Sequence, residues 1–146
     1  MTTLSTTLRD ETFRWLADDV DDAGRAELQG VLAKAMAGDD AAVAELADRM
    51  SGSLEFGTAG LRGPVRAGRN GMNRAVVIRT TAGVAAWLSA HGHDSGIVVV
   101  GRDGRHGSED FHADAADVLA AAGFDVRVLP EPLPTPVLAF AVRHLG

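Results

Sequence analysis

The chain has 146 residues, the length of one domain, and a domain of this size buries roughly 70% of its unfolded surface. Its formal net charge of −6 argues against a general nucleic-acid binder, which needs a basic face. It contains no cysteine, which excludes disulfides and thiolate metal sites. The sequence has neither a secretory signal pattern nor an apolar run that could span a bilayer, so we expect a cytoplasmic protein with no membrane partner.

The part of the chain before residue 53 has helical patterns. Capping residues and apolar positions three and four apart predict three helices. One begins with a capping box at Thr7–Asp10 and ends at Asp18, one spans residues 25–37, and one begins at Asp39 or Asp40. The acidic run at residues 18–22 could indicate a metal site, but helix-capping carboxylates in a solvated turn explain it more simply. We predict a helical extension over residues 1–52.

From residue 53 onward, helix and strand signals alternate, which predicts an α/β domain over residues 53–146. The predicted elements are a bent strand at 61–66, a turn at 68–71, a helix at 74–90 capped by Asn73 with Val84 facing inward, a strand at 97–100, a helix capped by Ser108, a strand at 125–129 and a helix at 135–145. The β-branched run at 97–100 predicts a strand buried on both faces, and the strand–helix–strand order predicts a parallel pair.

A glycine-rich basic loop, Gly101–Ser108, follows the predicted buried strand and leads into a helix. Ligands bind at this edge of open α/β sheets, and the N–H groups of a helix N-terminus favour an anion such as phosphate. Arg102 and Arg105 add cations that can bind phosphate, and Asp103 can orient one of them. The glycine spacing matches neither a dinucleotide-binding loop nor a P-loop. On these residues alone, a structural turn with a surface salt bridge is equally consistent.

A second glycine-rich stretch, FGTAGLRG at residues 56–63, has similar alternatives. Its glycines allow the backbone to approach a ligand closely, and Arg62 supplies a fixed cation. Alternatively, the glycines serve only bends, Thr58 closes a turn, and Arg62 pairs with a carboxylate. The case for function is the combination: two segments rich in glycine and arginine, each beside a strand, in one acidic domain.

Metal and nucleophile patterns give no candidate. The five histidines lack a metal-ligand spacing, and we expect them to be solvated or capping residues. Only His106 falls in a candidate site. No G-x-S-x-G pattern indicates a nucleophilic serine, and no carboxylate cluster resembles a magnesium site.

The order FGTAGLRG, followed by MNRAVV at 72–77 and GRDGRHGS at 101–108, resembles the α-D-phosphohexomutases, the phosphoglucomutase/phosphomannomutase superfamily. The resemblance covers roughly residues 54–146 and implies most of domain I of a four-domain enzyme. The implied fold is a three-layer α/β/α mixed sheet, here preceded by N-terminal helices. Those helices resemble the branch that includes bacterial phosphoglucomutase/phosphomannomutase proteins and phosphopentomutases.

The resemblance also implies a function for the full-length parent. Such an enzyme transfers a phosphoryl group between the 1- and 6-positions of a hexose phosphate through a phosphoserine, with a sugar bisphosphate as intermediate and activator. It depends on Mg²⁺, which an aspartate-rich loop of the second domain binds. The implied partners are a hexose phosphate and the remaining domains, which determine the preference for glucose, mannose or pentose. A non-catalytic anion-binding module and a purely structural domain are the competing interpretations.

By match to the family, Arg62 is the supporting residue near the transferred phosphate. The other implied phosphate-binding residues are Thr58, Gly60, Arg102, Asp103, Arg105 and His106. Arginines on rigid loops suit this role, because phosphoryl transfer depends mainly on stabilising charge at the equatorial oxygens. An unpaired sheet edge is also expected, since the family's sheet has further strands, and such an edge favours self-association.

The family's serine loop, of the type T-A-S-H-N-P, does not occur in this sequence, and neither does the aspartate-rich loop. We therefore expect no catalytic residue and no metal ligand within the chain, and no mutase activity from it alone. A coupled assay should detect no conversion of glucose 1-phosphate to glucose 6-phosphate by the purified chain. Turnover that survives repeated purification would contradict this expectation.

Overall fold

The computed structural model describes residues 3–58 and 60–145, and Ala59 of the FGTAGLRG stretch lies outside these ranges. The chain divides into two compact units, Met1–Val76 and Val77–Gly146. Each unit has more contacts within itself than with the other, and this grouping does not test where a family domain begins. The predicted domain bounds of 1–52 and 53–146 stay a prediction.

Three helices lead the first unit: α1 Thr6–Asp18, α2 Asp22–Met36 and α3 Asp40–Arg49. The predicted capping box at Thr7 is wrong, because the side chain of Ser5 accepts a first-turn backbone N–H and begins α1. The acidic run does supply a helix cap, since Asp21 accepts a backbone N–H at the start of α2. Of the two candidates for α3, Asp39 is the cap and accepts two backbone N–H groups.

A buried apolar cluster holds the first unit together, and its members lie on both sides of residue 53. Leu28 of α2 and Leu46 of α3 are completely buried at its centre. Half-buried Leu54 and Leu61, from the glycine-rich region, pack against it. The buried members are Trp15, Leu16, Leu28, Leu32, Ala35, Ala42, Val43, Leu46, Met50, Ala67, Ala75 and Val76. The helices and the segment around residues 54–76 therefore share one core.

Only short strands form in the glycine-rich region. Strand β1, Phe56–Gly57, pairs antiparallel with β2, Gly60–Leu61. Farther on, Val65 makes a single bridge with Met72. The predicted bent strand over residues 61–66 is therefore wrong in extent, because Pro64 has no N–H to contribute to a ladder.

The remaining elements are α4 Arg74–Ala90, β3 Ile97–Val100, α5 Ser108–Ala121, β4 Asp125–Val128 and α6 Thr135–Leu145. Strands β3 and β4 are parallel and in register, with Ile97 beside Asp125 and Val100 beside Val128. The predicted strand–helix–strand unit and the α/β fold class are confirmed. Among the described residues, no helix is both long enough and apolar enough to cross a membrane.

Strand β3 is more exposed than its apolar sequence predicts. Ile97 is 45% exposed, and the other three residues of the strand are half-buried. Val84 of α4, predicted to face inward, is 39% exposed, whereas its neighbour Ala85 is buried with Leu119 and Phe124. Both predictions are therefore wrong. In the described ranges β3 has only β4 beside it, so one edge of the strand lacks a neighbouring strand. Self-association through its edge stays a prediction.

Candidate functional site

The FGTAGLRG stretch forms a β-hairpin with Thr58 exposed at its turn. Gly57 and Gly60 are opposite each other in the ladder. Gly60 has a φ of +91°, in the left-handed region that glycine adopts without the strain a Cβ would cause. The backbone conformation therefore explains Gly60 by itself, and contact of Thr58 or Gly60 with phosphate stays a prediction.

Arg62 follows the hairpin, and its side chain is exposed. Its guanidinium has no hydrogen bond or ion pair within the described ranges. The ion pair between Arg62 and a carboxylate, the alternative that the sequence left open, is therefore not observed in those ranges. The next residue is packed tightly, since a Cβ on Gly63 would lie only 2.9 Å from Cδ2 of Leu54. The backbone beside Arg62 is thus restrained while its head group is available to an anion.

Downstream, the chain forms a loop over residues 66–73, which we call the arginine–glycine loop. One backbone hydrogen bond joins it to the segment after Arg62, and a second lies within the loop itself. The N–H of Met72 donates to the carbonyl oxygen of Pro64 at 2.8 Å, and the N–H of Arg66 donates to the carbonyl oxygen of Met72 at 3.2 Å. The position of Arg62 therefore depends on this loop.

Asn73 closes the arginine–glycine loop and begins α4. Its Nδ2 donates to the carbonyl oxygens of Arg66 and Gly68 at 2.9 and 2.7 Å, while its Oδ1 accepts the N–H of Val76 at 3.0 Å. The predicted capping role of Asn73 is confirmed. The same side chain also satisfies carbonyl groups that would otherwise be buried without a donor.

A buried arginine joins α2 and α3 to the arginine–glycine loop. Nη1 of Arg49 donates to Oε1 of Glu27 at 2.6 Å and to the carbonyl oxygen of Ala67 at 3.1 Å. Its Nη2 donates to Oε1 of Glu45 at 2.7 Å. Glu27 completes the network, because its Oε2 accepts the backbone N–H of Ala67 at 3.2 Å. Helices α2 and α3 and the arginine–glycine loop are therefore joined by one charged hydrogen-bond network.

Two opposing effects act on the pKa of Arg49. Burial lowers this pKa, but the hydrogen bonds and charges of Glu27 and Glu45 outweigh burial and leave it above its usual value. The guanidinium consequently stays charged wherever the protein is folded. Close packing adds to the restraint, since a Cβ on Gly68 would lie 2.7 Å from the carbonyl oxygen of Arg49.

Two further ion pairs connect the helices to the same loop. Nη2 of Arg69 lies 2.7 Å from Oε2 of Glu11 in α1, and Nη1 of Arg66 lies 2.7 Å from Oδ2 of Asp48 in α3. Sequence reasoning missed these residues, as well as Glu27 and Arg49. No local pattern pairs Arg69 with Glu11, because 58 positions separate them.

In the second unit, Asp103 organises the basic loop. Its Oδ1 accepts the backbone N–H of Arg105 at 3.0 Å, and its Oδ2 lies 3.2 Å from Nε of the same residue. Its carbonyl oxygen accepts the hydroxyl of Ser108 at 2.7 Å. The prediction that Asp103 orients one of the arginines is confirmed for Arg105.

The other two candidates in this loop have looser surroundings. Nη2 of Arg102 lies 3.9 Å from Oε2 of Glu109, at the limit of an ion pair, and the Arg102 side chain is 19% exposed. His106 is exposed. Its ring has no hydrogen bond within the part of the chain that the structure describes.

Helix α5 begins differently from the prediction. Gly107 is the N-cap, with a φ of +79°, and no side chain caps the helix. The predicted cap by Ser108 is wrong, because its hydroxyl donates to Asp103 instead of accepting from the helix. The N–H groups of Glu109 and Asp110 find no acceptor among the described residues, so they remain available to an anion.

The candidate residues thus form two groups, one in each unit. Thr58, Gly60 and Arg62 belong to the first unit, and the second unit holds Arg102, Asp103, Arg105 and His106. In the second unit Asp103 contacts Arg105, whereas among the described residues no hydrogen bond or ion pair joins Arg102 or His106 to the other candidates. Their combination into one phosphate site stays a prediction. Residues 3–58 and 60–145 contain no group of three His, Asp or Glu side chains that could hold a metal.

Comparison with protein families gives a match over most of the chain. Residues 53–146 match the family described as phosphoglucomutase/phosphomannomutase, alpha/beta/alpha domain I. The match begins after the three helices, so α1–α3 lie outside it. No solved structure gives a significant match.

Several curated proteins are similar to the chain over part of its length. A probable phosphomannomutase of Haemophilus influenzae is 42% identical over 51% of this chain and 15% of its own length. A phosphoribomutase of Saccharomyces cerevisiae is 38% identical over 69% of this chain and 17% of its own. A phosphoglucomutase of Staphylococcus saprophyticus is 38% identical over 64% and 17%. The chain therefore aligns with 15–17% of the length of these relatives.

The start of α5 gives a testable prediction about its glycines. Gly107→Ala should lower the free energy of unfolding of the second unit by about 1–2 kcal/mol, because alanine is strained at positive φ. Gly104→Ala is the matched control, since a Cβ there meets nothing within 4 Å and its φ is not left-handed. Urea unfolding can be followed by the fluorescence of Trp87 in a Trp15→Phe background. Equal losses in both variants would contradict the assignment.

Proposed function

The chain belongs to the phosphoglucomutase/phosphomannomutase family, and on that premise we propose that it is the N-terminal portion of a phosphosugar mutase. The parent enzyme transfers a phosphoryl group between the 1- and 6-positions of a hexose phosphate through a phosphoserine. The chain's own contribution is to bind and stabilise the transferred phosphate. Residues 53–146 supply domain I, and the hexose phosphate and the other domains of the parent are its partners.

The observation that carries the proposal is the exposed guanidinium of Arg62, which has no hydrogen bond or ion pair within the described ranges and lies beside the closely packed Gly63. A cation that is already in place stabilises charge on the equatorial oxygens without reorganising during the reaction. An arginine held by a carboxylate would have to leave it first, and within the described ranges Arg62 holds none. Arg62 therefore fits the role of an electrostatic support for phosphoryl transfer.

The basic loop supplies the second group of donors in this proposal. Arg105 is 88% exposed and pairs with Asp103, and such a surface pair contributes only about 0–1 kcal/mol. A phosphate dianion can therefore draw Arg105 away at little cost. Arg102 and His106 add further donors, and the free N–H groups at the start of α5 favour negative charge.

In the parent enzyme we place the Mg²⁺ ligands in the other domains, and a sugar bisphosphate serves as activator. The described residues offer no cluster of three suitable side chains, so we assign no magnesium ligand to this chain and derive no step through the ion. The chain's contribution is limited to positively charged and N–H donors around phosphate.

A pentose phosphate is the second candidate substrate. The likeness to the yeast phosphoribomutase favours it, since that match covers 69% of this chain. Both substrates present the same phosphate group, so the roles proposed for Arg62 and the basic loop do not depend on the sugar.

Phosphate binding can be tested by NMR on the ¹⁵N-labelled chain. Titration with inorganic phosphate, and separately with glucose 1-phosphate, should shift the Nε–H of Arg62 and the amides of residues 104–110. A parallel titration with potassium chloride at matched ionic strength removes general screening effects. Absence of any shift beyond that of the chloride series would contradict the proposal.

Two variants locate the response. Arg62→Ala should abolish the phosphate shifts at residues 61–63 and leave those at 104–110 in place. Arg127→Ala is the control, because Arg127 is also exposed but is paired with Asp125 at 2.6 Å, outside both candidate segments. Equal loss of the response in both variants would indicate binding to net charge rather than to a site.

A further inference from the structure

The helices α1–α3 have no role in the function proposed so far, because they lie outside the matched domain. They are nevertheless not an independent appendage. Their buried side chains form one cluster with Ala67, Ala75 and Val76, which belong to the matched region. A segment outside the family domain therefore forms the packing surface for part of that domain.

The contacts of this surface converge on the arginine–glycine loop. Each helix contributes: Glu11 from α1 pairs with Arg69, Glu27 from α2 accepts the N–H of Ala67, and Arg49 at the end of α3 donates to the carbonyl oxygen of Ala67. The backbone N–H of Asn70 also donates to the carbonyl oxygen of Arg49 at 2.9 Å. Hydrogen bonds to charged groups of this kind contribute roughly twice as much as neutral ones.

The loop in turn fixes the segment that carries Arg62. That segment has little support of its own, since the hairpin before it consists of two-residue strands. Leu61 packs against the buried cluster on one side of Arg62, and on the other side the N–H of Met72 donates to the carbonyl oxygen of Pro64, as part of the Val65–Met72 bridge. Contacts therefore connect α2 and α3 to Ala67, and the loop that contains Ala67 and Met72 is bonded to Pro64, two residues after Arg62.

We infer that α1–α3 form a positioning platform for the phosphate-binding segment, with Glu27 as its principal positioning residue. Glu27 is singled out because one oxygen bonds to the guanidinium of Arg49 and the other to the backbone of Ala67. The inference deepens the proposed function and rests on it for the identity of the ligand. The positioning itself is independent of that identity.

Glu45 provides a matched control for Glu27. Both glutamates are about half exposed, at 47% and 44%, and both accept hydrogen bonds from Arg49. Only Glu27 also contacts the loop backbone. A merely structural role predicts that Glu27→Gln and Glu45→Gln disturb residues 61–65 in proportion to their loss of stability. A positioning role predicts that Glu27→Gln alone disturbs them.

The first measurement is amide exchange and chemical shift in the two variants and the unmodified chain. Glu27→Gln should accelerate exchange of the Ala67 amide by about tenfold, the equivalent of one charged hydrogen bond, and shift the amides of residues 61–65. Glu45→Gln should leave residues 61–65 unshifted, and neither variant should change residues 104–110. Equal shifts at 61–65 in both variants, or no shift in Glu27→Gln, would overturn the inference.

A second variant covers the case in which Glu27→Gln does not fold. Glu11→Gln removes the pair with Arg69, which is partly exposed, and should shift residues 61–65 in the same manner. An unchanged spectrum at 61–65 in the folded Glu11→Gln chain would then overturn the inference.

Phosphate titration separates this inference from the proposed function. Glu27→Gln should weaken the inorganic phosphate response of residues 61–63 several-fold while the response of residues 104–110 stays constant. If the unmodified chain shows no phosphate response at all, the proposed function fails, and the exchange data still decide whether the helices position the segment.

Discussion

The contacts between α2, α3 and the arginine–glycine loop of the first unit converge on one buried guanidinium. Arg49 lies at the end of α3, in contact with two carboxylates and one backbone carbonyl. Removing either glutamate would leave part of a buried charge without a partner, which is far more costly than losing a surface ion pair. The same group therefore joins two helices and fixes the loop that follows the FGTAGLRG hairpin. Because its pKa is raised, the charge on which this network depends persists across the pH range of the folded protein.

This network supports the loop that is bonded to the segment after the glycine-rich hairpin. Two-residue strands and a glycine turn have little intrinsic stability. The segment just after the hairpin is bonded to the arginine–glycine loop, which hydrogen bonds and an ion pair join to the helices. Within the described ranges the exposed guanidinium of Arg62 has no hydrogen bond or ion pair, and the role that we propose for it uses such a free cation.

Local patterns in the sequence predicted most of the elements. The positions of α4, β3, β4 and α6, the cap at Asn73 and the parallel pairing follow from capping residues, periodicity and chain order. The predicted cap at Ser108 is wrong because its hydroxyl donates to the carbonyl oxygen of Asp103, a loop contact that capping patterns do not describe. The candidate arginines were visible as residue types. The contacts of Glu27, Arg49 and Ala67 could not be predicted, because these residues are distant in sequence and form no periodic pattern.

The central claim is that α1–α3 and residues 54–76 of the first unit form one cooperative body. Native-state amide exchange of the unmodified chain, measured over a range of denaturant, tests it directly. The account predicts that the amides of Ala67 and Val76 open with the same free energy and denaturant dependence as those of Leu28 and Leu46. Exchange of Ala67 and Val76 through a local, denaturant-independent opening, while Leu28 and Leu46 stay protected, would contradict it.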